Sequence, residues 1–151
     1  MKPHLFTLFI LFPTILFALD YKVSFQGVQE RRIVRSLEET SLSIELKGKK
    51  PLSSMAQLRK RLENDLPRLL DVLHYYGYLD ATVDFVIERG EIPNAVFRVD
   101  LGTLYKVNSI LTIPYVDLTG IEIDLPAPAE TERILQIEER LQNALKKKGF
   151  A

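Results

Sequence analysis

The sequence predicts an α+β fold in which two helices pack on one face of a three-stranded sheet, followed by an incomplete second copy. Three segments alternate apolar and polar residues with a period of two, as half-buried strands do. A leucine-rich segment with helical spacing lies between the first two. The pattern then recurs: Tyr-Lys-Val begins at Tyr21 and again at Tyr105, and a glycine precedes an aromatic residue at Gly77 and at Gly149. Order and repetition together predict tandem modules, which usually contact other proteins.

Residues 1–18 have the composition of a secretory signal peptide. Lys2 precedes an apolar run over residues 5–17, which is shorter than the roughly 20 residues needed to span a bilayer. Cleavage is expected after Ala18. Leu16 is larger than the residue preferred three positions before a cleavage site, so an uncleaved membrane anchor remains the alternative. The chain is expected to be exported in either case.

The composition of the chain excludes several classes of function. Removing Lys2 with the signal leaves 19 of 20 basic residues beside 20 acidic ones, a balance that argues against binding nucleic acid. The 151 residues include no cysteine, which excludes disulfides, thiolate metal sites and lipoprotein attachment. The fold must therefore depend on its apolar core.

The front half of the first module is predicted to contain a strand and a short helix. Residues 21–25 place an apolar side chain at every second position and form the strand. Residues 29–39 form the helix, because Ile33 and Leu37 are four apart among charged residues. Residues 40–51 are expected to be a connection, with turns at Gly48 and Pro51.

A long helix is predicted to begin after Ser54. Gln57 lies three residues later, as in a capping box, and Gly77 lies where a left-handed cap ends a helix. Pro67 falls inside this segment and costs about 3 kcal/mol in a helix interior. The sequence leaves open a kink near Asn64 or a break into two helices.

A hairpin completes the first module, which spans residues 19–104. Residues 80–88 and residues 95–101 alternate apolar and polar positions, with a turn between them. The second module, residues 105–151, is predicted to be partial. It is predicted to contain a strand over residues 105–113 and a helix over residues 130–148. Its front half is shorter than that of the first module, which leaves open whether it has a counterpart of the first module's short helix.

These motifs carry a family resemblance. The run Leu-x-x-Tyr-Gly-Tyr-Leu-Asp-Ala ending at Ala81, a hairpin, and Leu-Gly-Thr-Leu-Tyr-Lys-Val-Asn-Ser-Ile from Leu101 resemble a polypeptide-transport-associated (POTRA) domain. Residues 126–151 are similar to part of a second such domain. The likeness is to the periplasmic arm of outer-membrane assembly proteins, the superfamily of the translocation-and-assembly module and the barrel-assembly insertase. It covers residues 21–151, nearly the whole mature chain.

The resemblance implies a non-enzymatic module in the periplasm. In that family these domains precede an outer-membrane barrel, absent from this chain, and bind unfolded outer-membrane polypeptides or assembly-machinery subunits. Binding is expected by addition of a strand to a sheet edge. Carried onto this sequence, residues 80–88 are the edge and residues 95–101 the central strand. The expected partner-binding residues are Thr82, Val83, Asp84, Phe85 and Val86.

The repeated landmarks are interpreted as structural positions, namely helix caps, packing aromatics and the turn between modules. They are Gly77, Tyr78, Gly102, Tyr105, Gly149 and Phe150. His74 is the single histidine of the mature chain, so we expect no catalytic residue, no metal and no cofactor. Beside it, Tyr75 and Tyr76 form either an aromatic binding patch or a half-packed helix end. The alternative function is a membrane-anchored periplasmic scaffold, such as a division-type protein with one POTRA domain and an uncleaved N-terminal segment.

Overall fold

A computed structural model describes residues 18–111 and 118–150 and confirms the α+β class. The predicted signal peptide, apart from Ala18, lies outside the described residues. In chain order the elements are β1 (Lys22–Gln26), α1 (Arg31–Thr40), α2 (Leu42–Glu45), α3 (Met55–Tyr75), β2 (Thr82–Glu88), β3 (Asn94–Asp100), β4 (Lys106–Val107), β5 (Ala127–Pro128) and α4 (Thr131–Lys147). The first six include every predicted element of the first module, with bounds that differ by one or two residues.

The larger sheet has the order β1-β3-β2, with β3 parallel to β1 and antiparallel to β2. Its register aligns Phe25, Phe97 and Phe85 across the three strands. Phe97 stacks on Phe25 at 5.3 Å between ring centroids and meets Phe85 edge-on at 6.3 Å. This sheet face packs against α1 and α3, and their apolar side chains form one core with it.

The predicted connection over residues 40–51 contains a short helix, α2, which the sequence did not predict. A buried carboxylate from α3 explains the helix. Asp65 accepts hydrogen bonds from Ser41 Oγ at 2.8 Å, from Leu42 N at 2.7 Å and from Ser43 N at 3.0 Å. These are donors at the helix N-terminus, which lack partners within the helix. Because Asp65 is 24 residues from Ser41, local sequence patterns gave no sign of this contact.

The helix α3 is continuous, so the predicted alternative of two separate helices was wrong. Ser54 Oγ accepts the Gln57 N–H at 3.3 Å, as predicted for the cap, but the Gln57 side chain bonds Ser53 N instead of the cap residue. Four leucines of α3 are fully buried. Burying each stabilises the helix by about 1.5–3 kcal/mol, which together outweighs the cost of Pro67.

Both long helices end in the same hydrogen-bonded cap. Gly77 and Gly149 have φ of 88° and 85°, in the left-handed region that favours glycine. In each cap the glycine N–H donates to the carbonyl three residues earlier. The N–H of the next residue, Tyr78 or Phe150, donates to the carbonyl five residues earlier. This is the Schellman arrangement, and it confirms both predicted glycine caps.

Residues 105–150, predicted to be a partial second module and called so below, contain a two-stranded sheet and one helix where they are described. Lys106 pairs with Pro128 and Val107 with Ala127. The strand predicted over residues 105–113 is therefore shorter than expected in its described part, because β5 offers only two partners. No helix occurs within residues 118–130, while residues 112–117 lie outside the described residues. The helix α4 forms as predicted and buries Ile137.

Candidate functional site

The strand β2 lies at an edge of the three-stranded sheet. It pairs with β3 along all seven of its residues, and no strand in the described part of the chain pairs with its other side. Its position and the central position of β3 are those expected from the family resemblance. Sequence reasoning did not consider that β1 forms the opposite edge.

The backbone groups that β2 presents outward follow from one hydrogen bond. Lys22 N donates to Pro93 O at 2.8 Å, so odd-numbered residues of β3 direct their backbone groups toward β1. The even-numbered residues of β3 therefore bond β2, through their partners at positions 82, 84, 86 and 88. The N–H and C=O groups of Val83, Phe85 and Ile87 consequently point away from the sheet.

The side chains of β2 form two rows on opposite faces of the sheet. Val83, Phe85 and Ile87 are half-buried and pack toward the helices. The guanidinium of Arg59 on α3 lies 5.7 Å from the centroid of the Phe85 ring. The opposite face carries the row Thr82, Asp84, Val86 and Glu88, of which only Val86 is half-buried. The edge therefore has an apolar side and a polar, acidic side.

Asp84 partly closes this edge. Its Oδ1 accepts the outward N–H of Phe85 at 2.7 Å. Asp84 is paired in register with Arg98 on β3, but the two side chains form no ion pair within 4.0 Å. Glu88 Oε2 accepts a hydrogen bond from Asn94 Nδ2 at 2.9 Å. Charged side chains of this kind protect sheet edges from uncontrolled pairing.

The two tyrosines at the end of α3 have different environments. Tyr76 is buried, and its hydroxyl lies 2.8 Å from Ser36 Oγ on α1. Tyr75 is 43% exposed and meets the Tyr76 ring edge-on at 5.4 Å. Both line a groove of about 470 Å³ between α1 and α3, together with Val72. The patch is thus one packed ring and one exposed ring, and His74 does not line the groove.

Gly77 and Tyr105 form the junction between the two modules. Tyr105 N donates to Gly77 O at 3.0 Å, and Tyr105 O accepts from Ala129 N at 2.8 Å. A Cβ at Gly77 would lie 3.0 Å from the carbonyl carbon of Ala129. Glycine is therefore required here both for its φ and for the close approach of the second module.

A second contact at the junction involves charged groups. Arg32 on α1 donates to both carboxylate oxygens of Glu130, at 3.0 and 3.5 Å. Its guanidinium also lies 4.8 Å from the centroid of the Tyr76 ring. The hydrogen bond with Glu130 raises the pKa of Arg32 above its ordinary value. Residues 98 apart in sequence meet here, and sequence reasoning did not find this pair.

Gly102 and Asp80 shape the chain between the modules. Gly102 has φ of 61°, and a Cβ there would lie 2.6 Å from Asp80 Oδ1. The same oxygen accepts the N–H of Thr103 at 3.0 Å. The turn predicted at Gly102 therefore depends on the carboxylate of Asp80.

The described residues contain neither a cluster of metal ligands nor a membrane-spanning helix. Within residues 18–111 and 118–150, no three His, Asp or Glu side chains are grouped so that they could hold a metal ion. None of the helices in those ranges is both long and apolar enough to cross a bilayer.

Comparison with known proteins adds no assignment. No protein-family model matches this chain, and the curated proteins contain no sequence that matches it.

Proposed function

We propose that this protein is a non-enzymatic polypeptide-binding module that adds an extended guest strand to the β2 edge. The observation that carries the proposal is the outward direction of the Val83, Phe85 and Ile87 backbone groups. They supply three acceptors and three donors along one strand, of which the Phe85 N–H is bonded to Asp84 until a guest displaces it. Such a row binds extended peptides through main-chain hydrogen bonds. Side-chain pockets beside the row then provide selectivity.

We further propose that the protein acts in the periplasm, in outer-membrane protein assembly or protein translocation. The signal-like composition of residues 1–18 supports export. The order strand, helix, helix, strand, strand, with the last hairpin strand at the centre, supports a POTRA-like module. Guests would be unfolded outer-membrane polypeptides or subunits of the assembly machinery.

Photo-crosslinking tests whether the edge is the binding site. A crosslinking residue is placed at Thr82 or Val86 on β2, and at Ser24 on β1 as the control on the opposite edge. We expect unfolded outer-membrane polypeptide fragments to crosslink to the β2 positions more than to Ser24. Equal crosslinking at all three positions, or equal capture of unrelated peptides, would contradict the proposal.

A proline substitution tests the role of the backbone. Val83→Pro removes a backbone N–H that points away from β3, so no hydrogen bond to β3 is lost. Edge strands tolerate proline at such positions. Val23→Pro is the matched control, since the Val23 N–H on β1 also points outward. We expect Val83→Pro alone to weaken peptide binding while circular dichroism confirms that both variants fold.

A further inference from the structure

We infer that the β2 edge selects amphipathic guest strands with apolar residues on the helix side and basic residues opposite Asp84 and Glu88. This rests on the proposed function and specifies the chemistry of the guest. The inference follows from the two side-chain rows of β2 and from the hydrogen bond that closes its edge.

The helix side of the edge favours apolar guest residues. Val83, Phe85 and Ile87 are half-buried, so each keeps part of its apolar surface exposed beside the open edge. A guest strand places its own side chains on this face at every second residue. Apolar residues at those positions would remove that surface from water, and each Å² buried contributes about 25 cal/mol.

The open side of the edge favours basic guest residues. Asp84 and Glu88 are both exposed there, separated by Val86. In an antiparallel guest, the residues opposite these three form the non-hydrogen-bonded pairs, whose Cβ atoms are about 4.5–5.5 Å apart. Opposite charges at such positions stabilise pairing, and like charges destabilise it. Arg98 on β3 lies beside Asp84 on the side away from the guest. A basic guest residue would therefore continue a row of alternating charges across the sheet.

The hydrogen bond between Asp84 and Phe85 strengthens this preference. A guest strand would take the Phe85 N–H with one of its carbonyl groups, and the carboxylate of Asp84 would lose that partner. A lysine or arginine of the guest can replace the lost bond with a charge-assisted one. A glutamate would instead face a carboxylate that had just lost its donor.

The opposite edge lacks this chemistry. The open-face row of β1 consists of Lys22, Ser24 and Gln26, which includes no acidic residue. A guest added to β1 would meet a lysine where a guest on β2 meets Glu88. Preference for basic strands thus distinguishes the two edges of the same sheet.

Two peptides test the inference on the full chain. Both alternate valine with a second residue over nine positions; that residue is lysine in one peptide and glutamate in the other. We expect the wild-type protein to bind the lysine peptide about three- to tenfold more tightly, measured by fluorescence anisotropy. Asp84→Asn should reduce this ratio, because the amide oxygen can still accept the Phe85 N–H while the charge is lost. Gln26→Lys changes the net charge by the same amount on the β1 edge and should leave the ratio unchanged.

The outcomes separate the inference from the proposed function. If neither peptide binds, the proposed function fails and the inference fails with it. If both bind equally to wild type, or if Gln26→Lys lowers the ratio as much as Asp84→Asn, the edge binds strands without the selectivity inferred here. A charge-reversed Asp84→Lys protein that prefers the glutamate peptide would support the inference most directly.

Discussion

The two modules end their long helices with the same cap, yet the two capped helices lie in different surroundings. Tyr78, which follows Gly77, packs against the core of the first module. Phe150, which follows Gly149, is 52% exposed. The sheet covers the apolar side of α3, whereas Ile134 and Leu135 of α4 are 42% and 57% exposed.

This difference separates local from tertiary causes of structure. The cap needs only a glycine with positive φ and two backbone hydrogen bonds, and both modules have them. Burial of the apolar side of a helix needs a sheet wide enough to cover it. Of the two described sheets, only the three-stranded one covers a long helix in this way. The stability of the described residues should therefore be concentrated in residues 18–102, and mutations at matched positions of the two helices should measure by how much.

The largest difference is expected for the leucines four residues before each capping glycine. Leu73 is fully buried, and Leu145 at the equivalent position is half-buried. Leu73→Ala should lower the free energy of unfolding by about 2–5 kcal/mol, because it leaves a cavity in the core. Leu145→Ala should cost clearly less. Urea unfolding of both variants measures the two changes, and equal losses would contradict the comparison.

A second pair of positions lies twelve residues before each capping glycine. There α3 buries Asp65 and α4 buries Ile137. Asp65→Ala should cost about 2–3 kcal/mol, because the buried donors of Ser41 and Ser43 lose their acceptor. Asp65→Asn keeps one oxygen and should cost less. An unchanged unfolding midpoint for Asp65→Ala would show that water replaces the carboxylate.

The sequence predicted those features whose causes are local. The cap at Ser54, the glycine caps and the period-two strands each follow from residues close together in the chain, and each is present. The sequence did not predict α2 or the contact between Arg32 and Glu130, because their partners lie 22 or more residues away. In the candidate site, the resemblance predicted that β2 is the edge strand. The outward direction of the Val83, Phe85 and Ile87 backbone groups and the hydrogen bond from Phe85 N to Asp84 could be found only from the register of the sheet.

The two capping glycines provide a test of the junction. Gly77→Ala would be strained by its φ and would also meet Ala129 of the second module, whereas a Cβ at Gly149 meets nothing within 4 Å. We expect Gly149→Ala to cost about 1 kcal/mol from its φ alone, and Gly77→Ala to cost about 1 kcal/mol more. Hydrogen exchange should also show faster exchange of the Tyr105 amide in Gly77→Ala only. Similar exchange in both variants would mean that the contact with Ala129 does not constrain the junction.

The smallest effect on stability is expected at the ion pair between Arg32 and Glu130. Both side chains are partly exposed, and such pairs contribute about 0.2–1 kcal/mol. Arg32→Ala should therefore leave the unfolding midpoint nearly unchanged but increase exchange of the Ala129 amide about two- to fivefold, because that amide bonds at the junction. Arg35→Ala is the matched control, since Arg35 pairs with Glu39 on the same helix and away from the second module. If both variants altered the Ala129 amide equally, the effect would come from α1 itself, and the pair would have no part in orienting the second module.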